Sequence, residues 1–391
     1  MRIAVVCSDT GIRLPGSKGA SLHLAAVSNA LAGLGHEVLL LGVAGEGPPP
    51  ATFRTRLLPP PARSSGVRDE LRKLAFQRQL LQQGGDEVRT FAPDIVYERT
   101  SLFGGIGARL AADTGAPHVV EINALLAEEA TRYRGLRLQR LARLRETQTV
   151  READLRVVVS DELARRVAVL APAGPTEVVE NGVDDTCFAS LPGKHEARRM
   201  LGLPPDTPTI GFSGSLRPWH GLRSALEALT ALPGVVLAVA GSGPLRAELE
   251  GVAKSLQVAD RIRWLGQLDH DRVPVFLSAL DVAIAPYPML PDFSFSPLKV
   301  YEYLAAGLPI VASDVGTLSR LLSDRASCRL VPPSDPAALA WGVADLLANL
   351  PSARAAAVPA RAEALRDHSW RRRAEQLTQL FSEATAHALA G

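Results

Sequence analysis

The chain has 391 residues, 47% hydrophobic and 21% charged, with 43 basic and 41 acidic residues and a formal net charge of +2. That length exceeds what one hydrophobic core usually supports, so two domains are expected. The composition excludes a disordered, collagenous or coiled-coil chain, and the near-neutral balance argues against a bulk electrostatic grip on nucleic acid.

Three cysteines, Cys7, Cys187 and Cys328, are too few and too widely spaced for a disulfide framework. No CxxC or Cys/His pair has metal-site spacing, so no metal is expected. The opening MRIAVVCSD lacks a long apolar signal core, and no apolar run reaches 18 residues. A cytoplasmic protein is expected. Five Lys accompany 38 Arg, a bias that fits a GC-rich coding background.

In chain order, Arg2 to Cys7 (RIAVVC) reads as a buried strand. The loop DTGIRLPGSKG follows, then Leu24, Val27, Leu31 and Leu34 at helical spacing. Gly35 stops that helix, and Glu37 to Leu41 reads as the next strand. This is a βαβ unit, which favours a parallel sheet covered by helices. The Pro-rich residues 48–61 read as a surface loop. Residues 66–84 read as a basic helix, and strands follow at Ile95–Tyr97, His118–Glu121 and Leu155–Ser160. Between the last two, residues 126–152 read as one Arg-rich helix.

A second series begins near residue 207, with strands at Thr209–Phe212, Val235–Ala240, Ile262–Leu265, Val282–Ala285, Pro309–Ala312 and Arg329–Val331. Helical patterns separate them at Leu222–Ala231, Pro244–Ala253 and Asp335–Ala348. Each series is long enough for a doubly wound domain, with the join near 186–205. Ligands of such sheets bind at the carboxyl ends of strands, and a cleft between two domains is the default site.

Several motifs follow strands. GIRLPGSKGAS places Gly16, Lys18 and Gly19 where a helix N-terminus offers N–H groups to an anion. It is not a P-loop, because Ser17 precedes Lys18. AGSGP, with Gly241 and Gly243, is a tight βα turn or a ligand contact; Arg246 at the third fingerprint position argues against a dinucleotide enzyme. GFSGSLRPWHGL carries Arg217, suited to bidentate phosphate contact, and His220, a phosphate donor when protonated, while Trp219 reads as packing.

FSFSPLKVYEYLAAGLPIVAS, Phe293 to Ser313, carries the strongest signal. Ser296-Pro297 reads as a helix start with Pro at the first helical position. N–H groups at Leu298 and Lys299 then face an anion. Glu302, one turn on, suits vicinal hydroxyls, since an ionised Glu only accepts hydrogen bonds. Asp269-His270-Asp271 reads as a helix cap rather than a metal string. Arg132, Arg134, Arg137, Arg140, Arg143 and Arg145 read as a solvated face, or as a docking surface for anionic lipid or an acidic acceptor.

These motifs, with WLGQL and Glu180-Asn181-Gly182-Val183-Asp184, resemble the retaining glycosyltransferases of family 4 over nearly the whole chain. The resemblance implies an α/β GT-B architecture: two Rossmann-like doubly wound domains facing across a cleft. Residues 1–185 would form the acceptor-side domain, with a C-terminal helix at about 371–391 packing back on it. Residues 186–370 would bind the nucleotide sugar.

It also implies transfer of a hexose from a UDP- or GDP-linked donor to a hydroxyl, with retained configuration and no cofactor or essential metal. Domain closure would exclude water. Glu302 would hold the ribose. Ser296, Pro297, Leu298 and Lys299 would meet the diphosphate, and Gly16 to Gly19 would approach it from the first domain. The stretch Gly266 to Leu268 would lie against the base.

Three departures from the family pattern stand out. Ser294 occupies a position often held by a sugar-contacting Glu. The family's Arg and Lys fall on Ser215 and His220, with Arg217 replacing the missing charge. On the catalytic side, Glu121 or Asn123 fills the place of a His or Asp. The alternatives are a sugar-nucleotide epimerase or phosphorylase of the same fold, or an inactive nucleotide-sugar-binding homologue. The acceptor is open among a small molecule, a glycan and a lipid-linked sugar, with peripheral contact at the inner membrane face through the basic helices.

Overall fold

The computed structural model describes every residue except Arg63, Pro291, Asp292, Phe295 and Gly391, together with the side chains of residues 389–390. Phe295, inside the strongest motif, and the last residue of the expected C-terminal helix therefore lie outside the described residues. The chain divides into two compact units. The first comprises Met1–Asn181, Ser294–Ser296 and Trp370–Gly391; the second comprises Gly182–Phe293 and Pro297–Ser369.

The first unit is built on eight parallel strands: β1 Arg2–Val6, β2 Arg13–Leu14, β3 Glu37–Ala44, β4 Arg54–Leu58, β5 Ile95–Arg99, β6 His118–Ile122, β7 Leu155–Val158 and β8 Thr176–Val178. Their order is β2-β3-β1-β5-β6-β7-β8, with β4 also paired to β3. The central strands are continuous apolar runs because helices cover both faces of a parallel sheet. Ala4, Val6, Leu39, Leu41 and Val96 pack against Phe76, Leu80 and Val88 of the helix Gly66–Phe91. The helix Trp370–Ala390 lies on the helix Gly19–Gly33, and Phe381 meets Tyr97 at 5.2 Å between ring centroids.

The second unit has six parallel strands: β9 Thr209–Ser213, β10 Val236–Ala240, β11 Ile262–Gly266, β12 Val282–Ala285, β13 Ile310–Ser313 and β14 Cys328–Val331. Their order is β11-β10-β9-β12-β13-β14. Phe212, Leu226, Leu229, Val239, Ile284, Val311 and Val343 share its core. The winding reverses between β9 and β12, so the crevice at their carboxyl ends is where ligands of such sheets bind.

The structure corrects several boundaries. Residues 48–61 are not wholly loop: β4 forms between the flanking prolines as an outer parallel partner of β3, a place where Pro is tolerated beside a strand. The short strands β2 and β8 carry too few residues to show a period. The basic helix continues from 84 to Phe91. The Arg-rich stretch is two helices, Leu126–Arg134 and Gln139–Glu152, broken where Gly135 takes φ 64°. The proposed join at 186–205 instead holds two short helices, Asp185–Ala189 and Lys194–Leu201. Arg198 of the second donates to Asp281 at 2.7 Å, and Asp281 accepts from Thr209 N at 2.9 Å, so this segment is part of the second unit.

Candidate active site

In the second unit the loops after β9 and β10 are zipped together. Gly214 N donates to Ala240 O (2.9 Å), Leu216 N to Ser242 O (2.9 Å) and Gly241 N to Gly266 O (2.6 Å). Gly241 has φ 152°, and a Cβ there would lie 1.9 Å from Gly214 O; one at Gly243 would lie 2.5 Å from Leu216 O. Close packing of two loops thus accounts for the AGSGP glycines.

This zipper fixes the floor of the β9/β12 crevice. Lys299 enters from the helix Leu298–Ala305 and is 8% exposed. Its Nζ lies 4.0 Å from the Phe212 ring centroid and 5.3 Å from that of Tyr287. It has no hydrogen-bond partner among the described residues. Burial lowers its pKa from 10.5 to about 7, with nearby Glu302 opposing the fall. Glu302, half-buried, is raised to about 7 by desolvation, which His270 and Lys299 oppose.

Pro297 occupies the N-cap position rather than the first helical position, and it gives no side-chain cap. Val300 N is bonded to Pro297 O at 3.0 Å, so the N–H groups of Leu298 and Lys299 precede the first intrahelical bond. The Ser296 hydroxyl does not cap this helix: it accepts from Asn181 N at 3.0 Å, in the first unit. Ser294 is likewise held, its carbonyl accepting from Ser160 Oγ at 2.8 Å.

Arg217 is exposed, with its guanidinium 5.6 Å from the Trp219 ring. Ser215 is exposed, and its carbonyl accepts from His220 Nδ1 at 2.5 Å. Burial, with Lys299 and Arg217 adding like charge, holds the His220 pKa down to about 3. The ring is therefore neutral, its Nδ1 proton is committed to the backbone, and Nε2 is an acceptor. A phosphate-donor role needs a second proton, which burial and both cations oppose in the free chain. Leu268 is half-buried in the turn after β11. Asp269 makes no side-chain cap, contrary to the capping expectation, and the following residues His270–Arg272 form a 3-10 turn.

In the first unit Gly16, Lys18 and Gly19 are exposed at the start of the helix Gly19–Gly33. Lys18 holds the N-cap position, and its Nζ donates to Gly11 O at 3.4 Å. A Cβ at Gly16 would meet Arg13 O at 2.4 Å, so the loop itself requires this glycine. Glu121 and Asn123 end β6 in a network the sequence did not reveal. Glu121 is buried, accepts from Tyr97 Oη (2.5 Å), Arg99 Nη1 (2.8 Å) and Asn123 Nδ2, and lies 2.6 Å from His23 Nε2. Burial alone would raise its pKa, but His23 and Arg99 hold it well below the carboxylate range. His23 Nδ1 in turn meets Asn181 Oδ1 at 2.8 Å. Asn123 is more accessible than Glu121. Asn181 was visible only as part of the ENGVD string, and His23 sat among ordinary helix residues.

The six arginines at 132, 134, 137, 140, 143 and 145 are all exposed, alongside Tyr133 (40% exposed) and Leu144 (63%). Among the described residues, no helix is long and apolar enough to cross a membrane.

Comparisons with known proteins agree with this architecture. The family model described as glycosyl transferases group 1 matches residues 193–362, and the one described as glycosyltransferase family 4 matches residues 17–186. A D-inositol 3-phosphate glycosyltransferase 2 of Catenulispora acidiphila is 31% identical over 377 residues, covering 88% of this chain and 86% of that protein. A 2-deoxystreptamine N-acetyl-D-glucosaminyltransferase of Streptomyces fradiae is 30% identical over 290 residues, 69% of this chain and 67% of that protein. Among solved structures, a sucrose-phosphate synthase of Thermosynechococcus elongatus superposes with a TM-score of 0.80 at 21% identity, covering 99% of this chain and 100% of that one. The two winding series, the order of the loops at the ends of β9 to β12 and these relatives lead to one conclusion: the chain belongs to the family 4-type glycosyltransferases and has the GT-B architecture.

Proposed function

We propose that the enzyme transfers a hexose from a nucleoside-diphosphate sugar to a hydroxyl acceptor with retention of configuration and without an essential metal. The observation that carries this reading is Lys299: a buried ammonium at the β9/β12 crevice with no hydrogen-bond partner among the described residues, in the first turn of a helix that has no side-chain cap. A buried unpaired cation is costly, and an anionic ligand offsets that cost. A diphosphate fits, since Lys299, Arg217 and the Leu298 and Lys299 N–H groups all favour the negative charge that grows on the leaving group. Glu302, one turn further along, is an acceptor for the ribose hydroxyls once ionised. In the first unit, Asn123 is the substrate-facing member of the pair, and Glu121, saturated by its neighbours, acts as a positioning residue. Both relatives named above carry a cyclitol in their names, which supports a hydroxyl of a cyclic polyol as acceptor.

The test is release of nucleoside diphosphate from UDP-, GDP-, ADP- and dTDP-hexoses with polyol acceptors, together with the anomeric coupling of the product by NMR. Acceptor-dependent release with a retained anomer, unchanged by EDTA, is expected. An inverted product, or turnover abolished by EDTA and restored by Mg²⁺, overturns the corresponding part of the reading.

A further inference from the structure

Asp184, Cys187 and His270 come together in the second unit, and the ligand atoms of all three lie within 4.8 Å of one another. Asp184 caps the helix Asp185–Ala189 through Oδ1, which leaves Oδ2 turned toward the other two side chains. Cys187 Sγ is 3.2 Å from Asp184 Oδ2, and His270 Nε2 is 3.7 Å from the same oxygen. His270 Nδ1 is buried and without a hydrogen-bond partner among the described residues. The imidazole is therefore held in place without being satisfied. In sequence, Asp184 and Cys187 are one helical turn apart, while His270 arrives from the turn after β11, which is why no metal spacing shows in the chain.

We infer that Asp184, Cys187 and His270 form a binding site for a thiophilic divalent cation such as Zn²⁺, with a fourth position open to water or another small ligand. A tetrahedral zinc with bonds of about 2.0–2.3 Å needs its ligand atoms about 3.3–3.6 Å apart. The 3.2 and 3.7 Å separations already bracket that range. The donor set of one sulfur, one imidazole nitrogen and one carboxylate oxygen selects Zn²⁺ or Co²⁺ over Mg²⁺ or Ca²⁺. A thiolate and a carboxylate together neutralise the cation. Binding breaks the Cys187 S–H bond, forms the metal–sulfur bond and releases one proton to solvent. All three residues are partly exposed, so an entry path exists. Asp271 adds negative potential at both Cys187 and His270. The other two cysteines, Cys7 and Cys328, are buried and lie outside the cluster. His270 is close enough to Glu302 for each to influence the other's charge, so the site adjoins the groups assigned to transfer, and the test reads metal binding rather than turnover to keep the two readings distinguishable.

Optical titration of the full chain with Co²⁺ tests it. One equivalent should bind with a thiolate-to-cobalt charge-transfer band, and Zn²⁺ should bleach that band. Cys187→Ser should remove the band, and His270→Gln should weaken Zn²⁺ binding by more than the roughly 10–100-fold that outer-shell partners typically contribute. On the unmodified protein, Zn²⁺ should slow alkylation of Cys187, read site by site by mass spectrometry, so the result does not hang on a variant folding. A missing band in the unmodified protein, a band retained in Cys187→Ser, or Cys187 alkylation unaffected by Zn²⁺ would each overturn the site.

Discussion

Replacing Lys299 by Met should stabilise the free enzyme and cripple donor binding at once. A fall in pKa from 10.5 to about 7 corresponds, at about 1.4 kcal/mol per factor of ten, to a folding penalty of about 4–5 kcal/mol for holding the ammonium inside. The substitution removes that penalty. It also gives up the ammonium's contact with Phe212 at 4.0 Å, worth about 1–2 kcal/mol. Met is flexible and apolar enough to fill the space between Phe212 and Tyr287. The net gain is about 2–4 kcal/mol, or about 5–15 °C in the melting temperature of a domain this size. The sign depends on pH. Unfolded Lys keeps its proton up to about 10.5 and the native residue only to about 7, so the penalty is full below pH 7 and gone above pH 10.5. The variant's advantage in urea or thermal unfolding should shrink along the same interval. Meanwhile its affinity for the nucleotide sugar should drop by about 1.5–3 kcal/mol, the value of a hydrogen bond to a charged group. A variant that is less stable at pH 7 and binds donor normally would show that Lys299 is a structural residue, and the transfer reading would lose its main support.

Glu302→Gln should weaken donor binding by about 1.5–3 kcal/mol in calorimetry, because the neutral amide accepts ribose hydroxyls less well; unchanged affinity removes Glu302 from that role. Glu121→Gln strips the charge that Arg99 and His23 face in a buried network, and it should cost about 3–5 kcal/mol in urea unfolding at pH 7. Because the native Glu121 pKa lies below its unfolded value, this contribution is present above the carboxylate range and fades as pH falls through it, so wild type and variant should converge in acid. Gly241→Ala puts a Cβ 1.9 Å from Gly214 O at φ 152°, and it should destabilise the protein by at least about 2 kcal/mol; a neutral effect would mean that the zipped loops are free to separate.

What the sequence made legible follows from how local each signal is. Apolar runs such as RIAVVC and VAIA announce buried parallel strands because both faces of the sheet are covered. The pairing of Lys299 with Glu302 was visible because three residues along a helix is a fixed geometry. The same local logic misled at Ser296-Pro297. The dipeptide has the look of a helix cap, but the serine hydroxyl is taken by Asn181, 115 residues away. Likewise Glu121 stood out as a polar residue at a strand end, whereas its partners His23, Tyr97 and Arg99 come from one helix and a neighbouring strand. No spacing rule links them. The strand at Arg54–Leu58 was hidden by its prolines, which lie outside the paired residues.

The division of the chain has a practical result for anyone recombining it with its relatives. The boundaries fall after Asn181, Phe293, Ser296 and Ser369, so no single crossover separates one unit from the other. A hybrid joined once near residue 181 would take Ser294–Ser296 and the helix Trp370–Ala390 from the wrong parent, leaving Asn181 and Tyr97 to meet foreign partners. Exchanging the first unit intact means exchanging three separate pieces of sequence together, and libraries built that way should keep far more folded members than those built with one cut.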